Sequence, residues 1–475
     1  MMRNKIHIPL VAMMAALLFP ASAAAQAPQD IASQLDELAD RARIPGMSVA
    51  YVENGEIAWT HVTGVRSAVT APKVTPETVF EAASLSKPVV AWVAHLLAAD
   101  GAFDLDRPLA EYLAYDRSGT DPRLFDITAR TVLRHASGFP NWRPAGGDLA
   151  IMTDPGLQFS YSGEGFVFLQ QAIEKATSSN LHALAQQLVF RPLGMTSSSF
   201  VWRDAYTPVL AVGHDRDGVA LNKFTPEVAN AAFSLHTTAI DYARFMIALA
   251  TGEGLPEDAV TALTQPSISA EDGIYWSEGV GLEPTPAGQA LWHWGDNAGY
   301  KSFAWMAPGA ASGFVFFTNS DNGMLILEDV YDLLVDGPGT AVAWLNYESV
   351  DDPVYILGRD LMDVLAADGL EAALARYHGA RGQMPPGAYV EDALNTLGYN
   401  LLRNGRVDEA IAFFELNTTE YPDSYNVFDS LGEAYYVKGD LETALAHYRK
   451  SVLMNPSNEG GKAMISVIQE RLAGN

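Results

Sequence analysis

Cysteine is absent from the 475-residue sequence. Without it there can be no disulfide, no thiolate nucleophile, no cysteine-held metal and no lipidated cysteine behind a leader. Positive charge is scarce as well: 30 lysines and arginines stand against 57 aspartates and glutamates, a formal net charge of −27. So acidic a chain repels phosphate backbones and anionic bilayers, which argues against nucleic acid and charged membrane surfaces and leaves small molecules open. Beyond the N-terminal segment no apolar run reaches the length of a membrane span. The ten histidines are scattered, with neither H-E-x-x-H nor H-x-H among them, so nothing indicates a metallohydrolase. G-x-S-x-G is missing too, which sets aside an α/β-hydrolase.

What is present begins with a leader. Arg3 and Lys5 precede the apolar IPLVAMMAALLFP, and ASAAAQAPQD follows with small residues at A-x-A spacing. This pattern predicts a secretory signal peptide over residues 1–25, cut after Ala25 or Ala23, and so an exported bacterial protein, periplasmic or secreted. A hydrophobic content of 48% with 18% charged residues describes a globular chain. Its length implies two or three folding units.

Residues 45–65 read as two strands around Glu53-Asn54-Gly55, a hairpin. Residues 84–100 read as a helix closed by Gly101, residues 236–250 as an amphipathic helix opening at Thr237 or Thr238, and 310–320 as a strand. Strands at both ends with helices between imply an α+β domain whose sheet joins N- and C-terminal strands. From about residue 350 only helical periodicity remains. Leu397-Gly398 recurs as Leu431-Gly432, Gly405 as Gly439, Ala410 as Ala444 and Pro422 as Pro456. Each offset is 34 residues, the tetratricopeptide period. Residues 353–378 supply a degenerate earlier helix pair and 459–472 a capping helix. Such an array either presents a surface to a protein or peptide partner or braces the enzyme.

The stretch FEAASLSKPVV carries the chemistry. On a helix Ser84 and Lys87 share a face, and a serine at a helix start has backbone N–H groups around it that suit an oxyanion. A desolvated lysine loses its proton readily and can act as base toward the hydroxyl. The apolar flanks Ala82-Ala83 and Pro88-Val89-Val90 argue for such burial.

FEAASLSKPVVAWVAHLLAADGAFDLDRPLAEYL resembles the serine β-lactamase-like family of class C β-lactamases, D-alanyl carboxypeptidases, D-aminopeptidases and family VIII-type esterases. So do PGMSVAYVENGEIAW, ITARTVLRHASGFPNW, FRPLGMTSSSF, FSLHTTAIDYARFM and FTNSDNG, in the family's order over about residues 30–325. The resemblance implies a β-lactamase-like α+β fold over residues 29–345, an antiparallel sheet flanked by helices with an all-helical subdomain. An all-α helical repeat domain follows over 353–475. It also implies Ser84 as nucleophile, Lys87 as base, and Tyr161 of FSYSGEGF as the tyrosine of Y-x-N that relays protons. His293-Trp294-Gly295 stands where the family has K-T-G or H-x-G. There His293 would steer or polarise substrate and Gly295 would let the strand pass close to the acyl group. The N–H groups of Ser84 and Asp296 would form the oxyanion hole. His135 and Ser137-Gly138 match a segment that shapes a loop.

Three departures bear on substrate. Gly163 replaces the asparagine of Y-x-N, removing an amide. Trp294 and His293 replace the threonine and lysine of K-T-G, the hydroxyl and cation that hold a β-lactam carboxylate. The expected activity is therefore hydrolysis of an ester or amide through an acyl-serine, leaning to esters, with no metal or organic cofactor. The alternatives are a D-amino-acid peptidase or β-lactamase, and a non-catalytic ligand-binding or scaffold module.

Overall fold

The structure, a computed structural model, describes residues 25–115, 119, 121–143, 149–335, 337–384 and 390–474. Except for Ala25, the expected signal peptide lies outside them. The chain divides into two units, the first ending at Tyr347 and the second beginning at Glu348.

Three strands open the first unit: β1 (Ala25–Gln26), β2 (Gly46–Glu53) and β3 (Glu56–Gly64). A short ribbon pairs β4 (Phe80–Ala83) with β5 (Leu235–Thr237). Later come β6 (Ile268–Glu271), β7 (Ile274–Trp276), β8 (Gly281–Thr285), β9 (Gly288–Asn297), β10 (Tyr300–Ala307) and β11 (Ser312–Thr318). The main sheet runs β1-β3-β2-β11-β10-β9-β8-β7-β6, so the N-terminal hairpin is hydrogen-bonded to the last strand, with Val49 opposite Phe316. The β2–β3 turn has Asn54 and Gly55 both at positive φ (54° and 75°), the conformation that matches strand twist. One edge departs from the expected antiparallel sheet: the two-residue β1 pairs parallel with β3. The helix Gln29–Arg41 packs on β3, and Ala239–Thr251 packs on β2, β3, β10 and β11. Thr238 caps the latter by accepting from the Asp241 N–H (3.1 Å).

The helix Ser86–Ala99 lies inside the all-helical part of this unit. It is buried on nearly every side, as its run of Val89, Val90, Trp92, Val93 and Leu97 dictates. Pro88 falls in its first turn, where no N–H is required, and Gly101 follows its end at φ 70°. Burying its three valines and Leu97 contributes about 6–12 kcal/mol. That exceeds the roughly 5 kcal/mol of placing one lysine ammonium, Lys87, in the same dry environment.

The second unit is all helical among the described residues, from Pro353–Asp368 to Glu459–Gly474. Glu391–Arg403 pairs with Val407–Glu420, and Tyr425–Lys438 pairs with Leu441–Met454. The repeat has a steric basis. Gly398 faces the Phe414 ring and Gly432 faces the Tyr448 ring, so each glycine admits an aromatic ring one period apart. A Cβ on Gly398 would come 2.5 Å from Phe414, whereas one on Gly358, in the helix Pro353–Asp368, would meet nothing within 4 Å. Gly398→Ala should therefore cost about 1–3 kcal/mol by overpacking. Gly358→Ala should stabilise by about 0.5–1 kcal/mol through helix propensity. Denaturant unfolding of the two variants should shift in opposite directions.

Candidate active site

The β4 strand ends at Ala83, which is held at φ 50° in the left-handed region. A residue with a Cβ pays roughly 1–2 kcal/mol there. The turn that results sets Ser84 between β4 and the helix. Leu85 N–H donates to the Ala82 carbonyl (3.0 Å) and Lys87 N–H to the Ser84 carbonyl (3.0 Å). Ser84 thus precedes the first helical residue, Ser86, with Leu85 at the cap, rather than belonging to the helix as its periodicity implied. Lys87 is still three residues on, one turn away.

Lys87 is buried, and its Nζ donates to Ser84 Oγ (2.8 Å) and to the Ala232 carbonyl (2.9 Å). Burial pushes its pKa down from 10.5 to about 7. The Nζ also lies 4.8 Å from the centroid of the Tyr161 ring, a contact that favours the ammonium but is outweighed by desolvation. The Tyr161 hydroxyl is buried and approaches Ser84 without completing a hydrogen bond of normal geometry. Burial raises its pKa, so it remains a phenol. Of the two groups, Lys87 is the one whose proton is loosened near neutral pH, while Tyr161 keeps its own.

His135 does more than shape a loop. Its ring stacks on Tyr161 at 4.2 Å, and its Nδ1 accepts the Ser162 N–H (3.0 Å), which fixes the tautomer and the approach to Tyr161. Burial holds it neutral, and the proximity of Lys87 and His293 acts the same way.

His293 lies on β9, with Nδ1 donating to the Trp294 carbonyl (2.7 Å). Burial pushes its pKa down to about 3, so the imidazole is neutral. With its proton on Nδ1, its Nε2 can accept a hydrogen bond but not donate one, and the ring supplies no cation. Trp294 is half-buried with its ring 4.8 Å from that of Tyr161. The space opened by Gly163 is occupied: a Cβ there would come 2.7 Å from the Trp142 ring. A Cβ on Gly295 would lie 2.4 Å from the Ala82 carbonyl and 3.1 Å from the Ala83 Cβ, so its absence lets β9 close on the strand that leads into Ser84. The Asp296 carboxylate turns to Lys301 Nζ (2.9 Å) and the Tyr347 hydroxyl (2.8 Å).

The structure therefore gathers Ser84, Lys87, Tyr161, His293 and Trp294, with Gly163 and Gly295 admitting neighbours. Sequence reasoning missed Trp142, the Ala232 carbonyl, the left-handed Ala83 and the direct support of Tyr161 by His135. Only FPNW, already noted as a matching segment, pointed toward Trp142. Among the described residues no cluster of three or more histidines, aspartates or glutamates could hold a metal ion. No described helix is long and apolar enough to cross a membrane.

A family profile described as Beta-lactamase matches residues 31–335. Protein flp of Staphylococcus aureus (strain N315) is 25% identical over 234 residues, 45% of this chain and 46% of its own. Esterase EstB of Burkholderia gladioli is 28% identical over 210 residues, 36% of this chain and 52% of its own. The chain thus spans about half the length of the curated relatives it matches. Among solved structures, a D-alanine carboxypeptidase AmpC from Burkholderia cenocepacia aligns with a TM-score of 0.55 at 19% identity, covering 64% of this chain and 97% of the other. A class C beta-lactamase aligns with 0.56 at 19%, covering 65% and 98%. These two likenesses speak for the fold.

The buried lysine carries a stability cost that can be measured. Because its folded pKa lies below the unfolded one, the penalty is fully present below about pH 7 and fades as pH rises toward 10.5. Lys87→Met should raise stability by roughly 2–5 kcal/mol at neutral pH, a gain that shrinks in calorimetry at alkaline pH.

Proposed function

The chain belongs to the beta-lactamase family, and from that membership we propose that it is an exported serine hydrolase that cleaves esters through an acyl-serine. One observation carries the reading: Lys87 Nζ lies 2.8 Å from Ser84 Oγ in a site dry enough to bring the lysine to about 7. Lys87 takes the proton of Ser84 as Oγ attacks the carbonyl carbon. The carbonyl oxygen gains negative charge against the N–H groups of Ser84 and Asp296. Tyr161 gives a proton to the departing oxygen and is reprotonated from Lys87. Water then attacks the acyl carbon by the reverse relay and frees Ser84.

Esters are favoured over β-lactams and D-alanyl peptides because each lost handle points the same way. The neutral His293 supplies no cation for a carboxylate, Trp294 supplies no hydroxyl, and Gly163 with Trp142 supplies no amide. An alkoxide or phenolate leaving group needs less assistance than an amine. The similarity to an esterase is in keeping with this reading. The helical second unit we read as tetratricopeptide repeats that brace the enzyme or bind a protein partner, supported by the 34-residue spacing of its glycine–aromatic contacts.

Purified mature chain should hydrolyse a short-chain aryl ester in preference to a D-alanyl anilide and a cephalosporin. Ser84→Ala should lower the rate by a factor on the order of 10³ or more. Its kcat/KM should rise with pH through about 7 as Lys87 loses its proton. Preferred anilide or cephalosporin cleavage would overturn the ester assignment. A rate indifferent to Ser84→Ala would overturn the mechanism.

A further inference from the structure

The family match ends at residue 335, yet the first unit continues to Tyr347 and returns to the site. Two carboxylates tie down this extra segment. At its start the Ala341 N–H donates to Glu283 Oε2 (2.6 Å). The other oxygen of this fully buried carboxylate accepts from Trp305 Nε1 (2.5 Å) and the Tyr331 hydroxyl (3.1 Å). At its end the Tyr347 hydroxyl donates to Asp296 Oδ2 (2.8 Å) and also engages the Trp294 side chain. Between the two ties, the Trp344 ring lies 6.0 Å from Trp294 and 6.1 Å from Phe159. Trp294 in turn rests against Tyr161, the proton donor to the leaving group. The strap therefore builds the aromatic wall on the leaving-group side.

The charge at this end of the cleft is negative. Asp296 is partly exposed, and its cation Lys301 is shared with Asp321 at 2.7 Å and with the Asn297 carbonyl at 3.0 Å. A ligand carboxylate arriving here meets a carboxylate and an engaged lysine, whereas a flat apolar group meets tryptophan.

We propose that the strap of residues 340–347 selects substrate. Tyr347 locks Trp294 beside Tyr161 and keeps the Asp296 carboxylate at the mouth. The cleft then takes uncharged esters of flat, apolar alcohols and turns away esters whose alcohol part carries a carboxylate. Tyr347 is thereby a specificity-determining residue outside the family core. This inference rests on the serine-hydrolase reading of the same cleft.

The test uses binding as well as turnover. Benzyl acetate and its 4-carboxylate are titrated calorimetrically into full-length Ser84→Ala, and both esters are assayed with the chain carrying Ser84. The neutral ester should bind Ser84→Ala at least about tenfold more tightly than the acid. Adding Tyr347→Ala or Asp296→Asn should cut that preference to about threefold or less, with Tyr347→Phe between. If Tyr347→Ala fails to fold by circular dichroism, Tyr347→Phe and Asp296→Asn carry the test. No preference in Ser84→Ala, or one that survives both Asp296→Asn and the folded Tyr347 variants, overturns the strap's role. Selective binding without Ser84-dependent turnover would instead overturn the hydrolase reading and leave the selection standing.

Discussion

The removal of Lys87 from water is the constraint on which the rest of the site depends. Burial alone brings the lysine to about 7, and the neighbouring His135 and His293 are held neutral chiefly by the same burial. The helix that carries it is mainly apolar and almost wholly buried, and its single ammonium is held by two oxygens, Ser84 Oγ and the Ala232 carbonyl. The same dryness pushes the Tyr161 phenol up, so one burial shifts the two groups in opposite directions.

The changes from the family pattern form one set. A cation, a hydroxyl and an amide are absent together: His293 and Trp294 stand in the places of two of them, and the Trp142 ring lies against Gly163 at the third. Loss of an amide alone would leave a polar hole. Filling it with an indole edge puts apolar surface in place of a polar group.

Much of the fold was legible because its signals are local. Asn54-Gly55 marks the hairpin, Thr238 marks the start of a helix, and the 34-residue recurrence marks the paired helices. Ser84 and Lys87 stood out as a pair by their spacing, whereas Tyr161 came only from the family resemblance of FSYSGEGF. What escaped was long-range or conformational. The left-handed Ala83 has no glycine to announce it. The seating of Trp142 against Gly163 joins segments that no periodicity connects. The ties of Ala341 to Glu283 and Tyr347 to Asp296 span 58 and 51 residues, and neither carboxylate sits in a patterned position. The two-residue parallel strand β1 is too short to leave any alternation.

The third motif shows why some of its residues can vary and one cannot. His293 and Trp294 flank Tyr161, with ring centroids 6.2 and 4.8 Å from its own. Gly295 instead lies against Ala82 and Ala83, the residues whose turn presents Ser84. Any Cβ at 295 would have to displace the Ala82 carbonyl at 2.4 Å, and with it the left-handed turn and the 2.8 Å contact between Ser84 and Lys87. Position 295 is thus constrained by the close approach of two backbones, whereas positions 293 and 294 meet Tyr161 through side-chain rings.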